Sequence, residues 1–213
     1  MSTGESENTL KNWGFLIVLA LVWGSSFILI KRGLNVFSPG ELGAYRIVAA
    51  ATFLLPLSIP KVKNLKSHQI QNLILVGLVG SFIPAFLFAK AQTQLSSSLT
   101  GVLNALTPLF VVLVGAIFFN SKITRRNAIG LFIAFLGVVV LVTVKEGSGF
   151  GAFSDINAYA FFVILACTCY GFNLNLIKFR FVELKPVEIT AISLLMVLPA
   201  ALIYLMAGTQ FSY

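Results

Sequence analysis

Long apolar stretches alternate with short polar connectors along the whole chain. Each stretch is close to the roughly 20 residues that an α-helix needs to cross the hydrocarbon core of a bilayer. This pattern predicts an all-α membrane protein with seven transmembrane helices. The predicted crossings are Trp13–Ile30, Leu42–Ile59, Ile70–Ala89, Leu99–Phe119, Ala128–Val144, Ala158–Ile177 and Ile189–Ala207.

The composition excludes a water-soluble globule. Of the 213 residues, 58% are apolar and only 10% are charged, whereas about 25% of the residues in a soluble domain are charged. Too little polar surface remains to cover a compact particle in water, and the chain has no long charged tract of the kind that keeps a disordered protein in solution. Residues 1–11 form a polar head that lacks the basic start of a signal peptide, so we expect the first crossing to be an uncleaved anchor.

Lysine and arginine residues are unevenly divided between the two sets of connectors. The N-terminal head and the even-numbered connectors hold ten of them, and the odd-numbered connectors hold four. Because basic residues in short loops are retained on the cytoplasmic side, we expect a multi-pass cell-membrane protein with a cytoplasmic N-terminus. The same bias explains the net charge of +8, which therefore requires no nucleic acid partner.

The chain contains an internal repeat. When it is shifted against itself by 147 positions, nine of the thirty positions between Phe15 and Ala44 are identical to those between Phe162 and Ala191. Shared leucine and isoleucine mean little in membrane helices, but three polar or conformationally special identities at fixed spacing indicate a real duplication. These are Lys31 with Lys178, Pro39 with Pro186, and Glu41 with Glu188.

The two copies are predicted to run in opposite directions through the membrane. Five crossings separate the start of the first copy from the start of the second, and an odd number places the second start on the other side. Inverted repeats of this kind are typical of alternating-access carriers, in which two halves rock about a site near the bilayer midplane. The second copy ends after two helices, so we expect either a truncated product or a partner that supplies the remainder.

With these features, the sequence resembles the drug/metabolite transporter superfamily, and within it the EamA-type transporters. Each motif is weak alone, but their order and spacing are fairly specific. The resemblance implies ten helices built from two five-helix EamA repeats, and a location in the bacterial inner membrane. The motifs are Trp23–Phe27 in helix one, Ser38–Pro39 leading to Arg46 in helix two, Thr107–Phe110 in helix four, Gly130 and Gly137 in helix five, and Tyr170–Gly171 in helix six.

Two features depart from the family pattern. The family commonly places a glutamate just after helix four, where this chain reads Asn120–Ser121–Lys122. Three of the ten expected helices are also missing. We therefore expect a truncated EamA-type transporter, with a cytoplasmic head at 1–11, one complete EamA repeat at 12–145 and a partial, inverted second repeat of two helices at 157–207.

Residues that carry chemistry are scarce in the predicted crossings. No aspartate or glutamate lies inside any of them, and the single histidine, His68, falls in a predicted cytoplasmic connector. Proton-coupled carriers generally use an intramembrane carboxylate or histidine, so facilitated movement or exchange is favoured. The same absence argues against an intramembrane protease. We expect no enzyme activity, no catalytic residue, no cofactor and no metal site.

Arg46 is the one basic residue inside a predicted crossing, about five residues into helix two. An unpartnered charge near the bilayer centre costs about 3 kcal/mol. Arg46 either faces the cavity and attracts an anionic group such as a substrate carboxylate, or extends to the outer interface or pairs with a polar neighbour.

Other polar residues fall where a substrate should bind. Ser25 and Ser26 lie toward the outer half of helix one, and the inverted repeat places Asn173, the counterpart of Ser26, on the other side of the midplane. Tyr170 is one turn from Asn173 on the same face. We predict that these residues bind substrate; the alternative is hydrogen bonding between helices, worth about 0.6 kcal/mol each.

Helix four combines a polar residue with a helix breaker. Asn104 lies one turn before Pro108, and a proline inside a helix removes a hydrogen bond and produces a kink. Asn104 is added to the predicted substrate-binding residues, and Pro108 is predicted either to loosen helix four for gating or to fit the helix to its neighbours.

The sequence thus predicts a permease or exporter that moves a small polar metabolite or amino-acid-like solute by alternating access. The alternative is a truncated, non-transporting remnant or an assembly subunit of a membrane complex. The predicted partners are a small-molecule solute and the lipid bilayer, with a homo-oligomer or a complementing chain left open.

Overall fold

The computed structural model describes residues 3–62, 65–145, 149–150, 157–181 and 184–208. These residues are helical apart from connectors and one short antiparallel hairpin. The elements are α1 (Thr3–Gly33), α2 (Pro39–Val62), α3 (Ser67–Gly77), a π-helical segment (Leu78–Phe82), α4 (Ile83–Gln92), α5 (Ser97–Asn104), α6 (Thr107–Phe118), α7 (Arg125–Thr143), β1 (Val144–Lys145), β2 (Gly149–Phe150), α8 (Ala160–Arg180) and α9 (Pro186–Gly208).

The described elements form seven helical units, which confirms the all-α prediction. The third unit is continuous through α3, the π segment and α4, and the fourth consists of α5 and α6, separated by a turn. Six units are long and apolar enough to cross a membrane; α7, with 19 residues, is not among them, so its crossing stays a prediction. The six are Lys11–Gly33, Pro39–Val62, Ser67–Gln92, Ser97–Phe118, Ala160–Arg180 and Pro186–Ala207.

Helix four is broken rather than kinked at its proline. Pro108 lies in the first turn of α6, and α5 has already ended at Asn104. Because Pro108 has no amide hydrogen, it cannot donate to the carbonyl of Asn104, four residues earlier. The Thr107 hydroxyl donates to that carbonyl oxygen instead, at 2.7 Å. The side chain therefore satisfies an acceptor that the proline leaves free in an apolar setting.

The π segment has a similar cause, which the periodicity of the sequence does not show. Pro84, at the start of α4, cannot donate to the carbonyl of Gly80, and its ring crowds that carbonyl. The helix widens just before this point, and the amide of Ile83 donates to the carbonyl of Leu78, five residues earlier. Such single π turns are frequent at functional sites.

The starts of α2 and α9 are built alike. In each, a proline occupies the first helical position and a glutamate the third. The amide of Ser38 donates to Oε2 of Glu41 at 2.8 Å, and the amide of Lys185 donates to Oε2 of Glu188 at 3.2 Å. This is the glutamate half of a capping box, so the proline and glutamate identities have a local function in both copies.

Helices α2 and α9 pack along each other in antiparallel orientation. Lys61, near the end of α2, contacts Glu188 at the start of α9. Tyr204, near the end of α9, lies over Gly40 at the start of α2. The buried side chains between them are small or branched, which allows close approach of the two helices. They are Ala44, Ile47, Ala51, Leu194, Val197 and Ala201.

The helices differ in how much of their surface is covered. Helix α8 packs against both α4 and α6. In α1, by contrast, every residue from Lys11 to Ser25 is exposed. Helix α7 is also mostly exposed, although its Val138 is buried. Exposed apolar side chains on a membrane-spanning helix can face lipid or another helix.

Candidate functional site

Three of the predicted binding residues line one cavity between α1 and α2. Ser26 lies seven residues before the end of α1 at Gly33, and Arg46 lies seven residues after the start of α2 at Pro39. Both are therefore about 10 Å along their helices from the connector. The cavity has a volume of about 390 Å³. Its lining residues are Val22, Ser25, Ser26, Leu29, Ile30, Leu42 and Arg46; we call it the Arg46 cavity.

Arg46 supplies positive charge to this cavity without a carboxylate partner. In the part of the chain that the structure describes, no carboxylate lies within 4.0 Å of its guanidinium. Its electrostatic neighbour is the hydroxyl of Tyr170 on α8. Arg46 is an exposed residue, and a guanidinium carries five N–H donors that can bind a ligand.

The two serines differ in what they already bind. The Ser25 hydroxyl donates to the carbonyl oxygen of Val22 in its own helix, at 3.1 Å, which leaves its oxygen lone pairs available as acceptors. Ser26 is half-buried. Because the remaining lining is apolar, the cavity offers a few polar contacts on an apolar wall, as small-molecule sites generally do.

Tyr170 borders this site but does not line the cavity. Its ring stacks on Phe88 of α4, with centroids 6.0 Å apart and an interplanar angle of 30°. The stacking holds the ring in the interior of the bundle, where it can interact with Arg46. The structure therefore places Tyr170 within electrostatic range of Arg46, although the two residues are far apart in sequence.

Asn173 lies elsewhere, against the π segment. A Cβ added to Gly80 would lie 2.6 Å from Cγ of Asn173, so a side chain at Gly80 would displace the amide. The Oδ1 atom of Asn173 is buried and has no hydrogen-bond partner among the described residues. Asn173 is not among the residues that line the Arg46 cavity.

Asn104 belongs to a third polar cluster at the break in helix four. The Thr107 hydroxyl lies 3.2 Å from Oδ1 of Asn104 and 3.5 Å from the sulfur of Cys167. Pro108, predicted to act in gating, follows directly in α6. The predicted binding residues thus occupy three places: the Arg46 cavity with Tyr170 beside it, the π segment, and this break.

Asn175, which the sequence did not single out, is the best satisfied amide in the described core. Its Nδ2 atom donates to the carbonyl oxygens of Val111 and Gly171, at 2.8 Å each. Asn175 therefore ties α8 to α6. An asparagine in an apolar stretch signals a polar contact with a neighbouring helix. Asn173 and Asn175 are only two positions apart, however, and the sequence gives no way to tell which of them makes that contact.

Lys31 was also missed as a structural residue. The hydropathy pattern places Lys31 in a connector, but it lies in the last turn of α1. Its ammonium donates to the carbonyl oxygens of Gln92 and Leu95, at 2.6 and 3.1 Å. Gln92 is the last residue of α4 and Leu95 lies in the turn that follows, so Lys31 caps the end of a neighbouring helix. The Gln92 side chain is fully buried, and in the part of the chain that the structure describes its Nε2 atom has no hydrogen-bond partner.

The described residues contain no group of three or more histidine, cysteine, aspartate or glutamate side chains that could hold a metal ion. The arrangement is suited to binding and releasing a solute, since its polar groups are a cation, hydroxyls and amides in apolar surroundings.

Comparison with known proteins gives a consistent result. The model of the EamA-like transporter family matches residues 12–143. An uncharacterized transporter of Archaeoglobus fulgidus is 30% identical over 132 residues, which are 62% of this chain and 48% of that protein. A probable amino-acid metabolite efflux pump of Salmonella typhimurium is 30% identical over 132 residues, which are 61% of this chain and 42% of that protein.

An uncharacterized transporter of Haemophilus influenzae is 26% identical over 164 residues, or 75% of this chain and 52% of that protein. The chain thus spans about half the length of the curated relatives it matches. No solved structure matches it.

Proposed function

The chain belongs to the EamA-like transporter family, whose model matches more than half of it, and from this premise we propose that it carries a small polar solute across the membrane by alternating access. The observation that carries the proposal is Arg46, a cation without a carboxylate partner in the described residues, facing a cavity of about 390 Å³.

The cost of Arg46 supports a binding role. An arginine within a membrane-spanning helix is expensive unless its charge is neutralised, so such residues generally mark substrate or ion pathways. A solute carboxylate would supply the neutralising charge, and the planar guanidinium can bind it through two parallel hydrogen bonds. Ser25 and Ser26 would contact the polar remainder of the same solute.

An amino-acid-like solute fits this arrangement. It combines a carboxylate with a small polar group and a side chain that can lie on Leu29, Ile30 and Leu42. The name of the Salmonella typhimurium relative, a probable amino-acid metabolite efflux pump, supports the same solute class and outward flux.

We assign the other predicted residues to the transport cycle. Tyr170 would stabilise the bound state through Arg46. The Oδ1 atom of Asn173 has no hydrogen-bond partner among the described residues, and it would accept a hydrogen bond from the solute once the π segment moves. Asn104 and Pro108 lie at the break in helix four, where a discontinuous helix can bend at low cost. The proposed orientation has the N-terminus in the cytoplasm and the protein in the bacterial inner membrane.

A second candidate function is that of an assembly subunit or a non-transporting remnant. It is favoured by α1, whose side chains from Lys11 to Ser25 are all exposed. Such a face can pack against helices from a second copy of the chain or from a complementing chain.

The test is solute counterflow in proteoliposomes that contain the purified 213-residue chain, with a mixture of labelled amino acids. We expect Arg46→Gln to lower counterflow about 10- to 100-fold, the range expected for losing hydrogen bonds to a charged group, and Arg46→Lys to retain part of it. Lys90→Gln, which removes an exposed cation at the end of α4, is the matched control. Counterflow that is unchanged by Arg46→Gln would overturn the assignment, and a stably folded chain without counterflow would favour the second candidate.

A further inference from the structure

The interface between α2 and α9 is closed by an ion pair at one end. The Lys61 ammonium lies 2.9 Å from Oε1 of Glu188. Lys61 ends the second helix of the first copy and Glu188 begins the second helix of the second copy, so the ion pair joins the two copies directly.

The other end of the same interface is closed without charge. Glu41 is the counterpart of Glu188, but the 147-residue shift places Gly208 where Lys61 would be. Glu41 accepts a hydrogen bond from the amide of Ser38 and makes no ion pair among the described residues. At this end the Tyr204 ring packs over Gly40 and against Phe86, with ring centroids 5.1 Å apart.

We propose that the Lys61–Glu188 ion pair is a reversible latch that holds this end of the α2–α9 interface closed while the Arg46 cavity is open. The proposal rests on the proposed alternating-access function, since only a carrier has to open and close each end in turn. Arg46 lies near the opposite end of α2, seven residues from its start. The latched end and the cavity are therefore at different depths of the same pair of helices.

The exposure of the pair suits a contact that breaks and re-forms. The side chain of Lys61 is 53% exposed and that of Glu188 is 18% exposed. Water can replace each partner as they separate, so no buried charge is left unpaired. The permanent contact between α2 and α9 is made by the buried side chains along their interface, so the exposed ion pair at one end can break while that contact is kept.

Glu188 has a second function that the test must separate from the first. Its Oε2 atom caps α9 through the amide of Lys185, while Oε1 faces Lys61. Glu188→Gln keeps a side chain that can cap the helix but removes the negative charge. Glu41→Gln makes the same change at the start of α2, where there is no ion pair among the described residues, and is the matched control. Lys61→Gln removes the charge without touching either cap.

The experiment measures the distance between spin labels at positions 59 and 187, with Cys167 and Cys169 replaced by alanine. Ile59 and Val187 are 54% and 59% exposed, so labels there should not disturb the interface. In the full chain in proteoliposomes without solute, we expect Lys61→Gln and Glu188→Gln to increase a longer-distance population by up to about fivefold, the shift that an exposed ion pair can supply. The double variant should equal the single ones, and 1 M salt should shift the wild-type chain in the same direction.

An unchanged distance distribution in Lys61→Gln and Glu188→Gln would overturn the latch. So would an equal change in Glu41→Gln, which would assign the effect to helix capping, or additive effects in the double variant. The distance measurement needs no solute, so it tests the latch separately from transport. If the latch is confirmed and counterflow is absent, the proposed function fails while the moving interface stands.

Discussion

Helices α1 and α8 are counterparts under the 147-residue shift of the sequence, yet they have opposite surroundings. Over the most apolar part of each helix, 6% of α1 and 33% of α8 is buried inside the molecule. The two helices have similar apolar character, so hydrophobicity does not explain the difference. What differs is the set of neighbours: α8 lies against α4 and α6, whereas the first half of α1 has little contact with the described chain.

Identical residues therefore have different functions in the two copies. Gly171 lies so close to α6 that an added Cβ would be 2.8 Å from the carbonyl oxygen of Phe110, whereas its counterpart Gly24 has nothing within 4 Å. Lys31 donates to two carbonyls, and its counterpart Lys178 lies 5.3 Å from the centre of the Phe179 ring on an exposed surface. A repeat preserves residue types, but packing decides which of them stabilise the fold.

The largest expected difference comes from the glycine pair. Gly171→Ala should lower the free energy of unfolding by about 1–3 kcal/mol, because the methyl group would collide with backbone atoms that cannot rotate away. Gly24→Ala should be neutral or should stabilise the helix by about 0.5–1 kcal/mol. Chemical denaturation in detergent micelles measures both. Equal effects in the two variants would show that the crowding at Gly171 is not present in the folded protein.

A smaller difference is expected for Asn175 and its counterpart Ile28. Asn175→Ala removes one hydrogen bond to α6 and one within α8, and should cost about 1 kcal/mol, within the range found for polar contacts between membrane helices. Ile28 is 53% exposed, so Ile28→Ala should change stability by less. The same denaturation measurement compares them; a greater loss for Ile28→Ala would mean that α1 is packed against a partner in the micelle.

The smallest difference is expected for the lysine pair. Lys31→Met removes the cap on the end of α4 and should cost about 0.3–1 kcal/mol, whereas Lys178→Met should have no measurable effect. Hydrogen exchange of the amides at 92–95 offers a local measurement, since loss of the cap should speed exchange there. Unchanged exchange in Lys31→Met would contradict the capping function.

Features that depend on neighbouring residues in the chain could be predicted from sequence. The apolar stretches predicted the helices, and the Pro–x–Glu identities correspond to real helix starts because a capping box needs only four consecutive residues. Pro108 marked the break in helix four within a few residues, since the loss of its amide acts on the carbonyl four residues before it.

Features that depend on contacts between helices were predicted less well. Gln92 falls between the third and fourth predicted crossings, where a polar connector is expected, but its side chain is fully buried. Asn173 and Asn175 have the same local context, but packing against α6 gives Asn175 its hydrogen bond to Val111. The Oδ1 atom of Asn173 has no hydrogen-bond partner within the described ranges.

The sequence by itself determined that the chain is helical, that it is suited to a bilayer and that it belongs to a transporter family, because hydropathy, capping and family motifs are properties of consecutive residues. Only the tertiary structure decided that Arg46 meets Ser25 and Ser26 in one cavity, that Phe88 stacks on Tyr170, and that Lys61 reaches Glu188. These contacts join helices distant in sequence, and their distances depend on how closely small residues allow the backbones to approach.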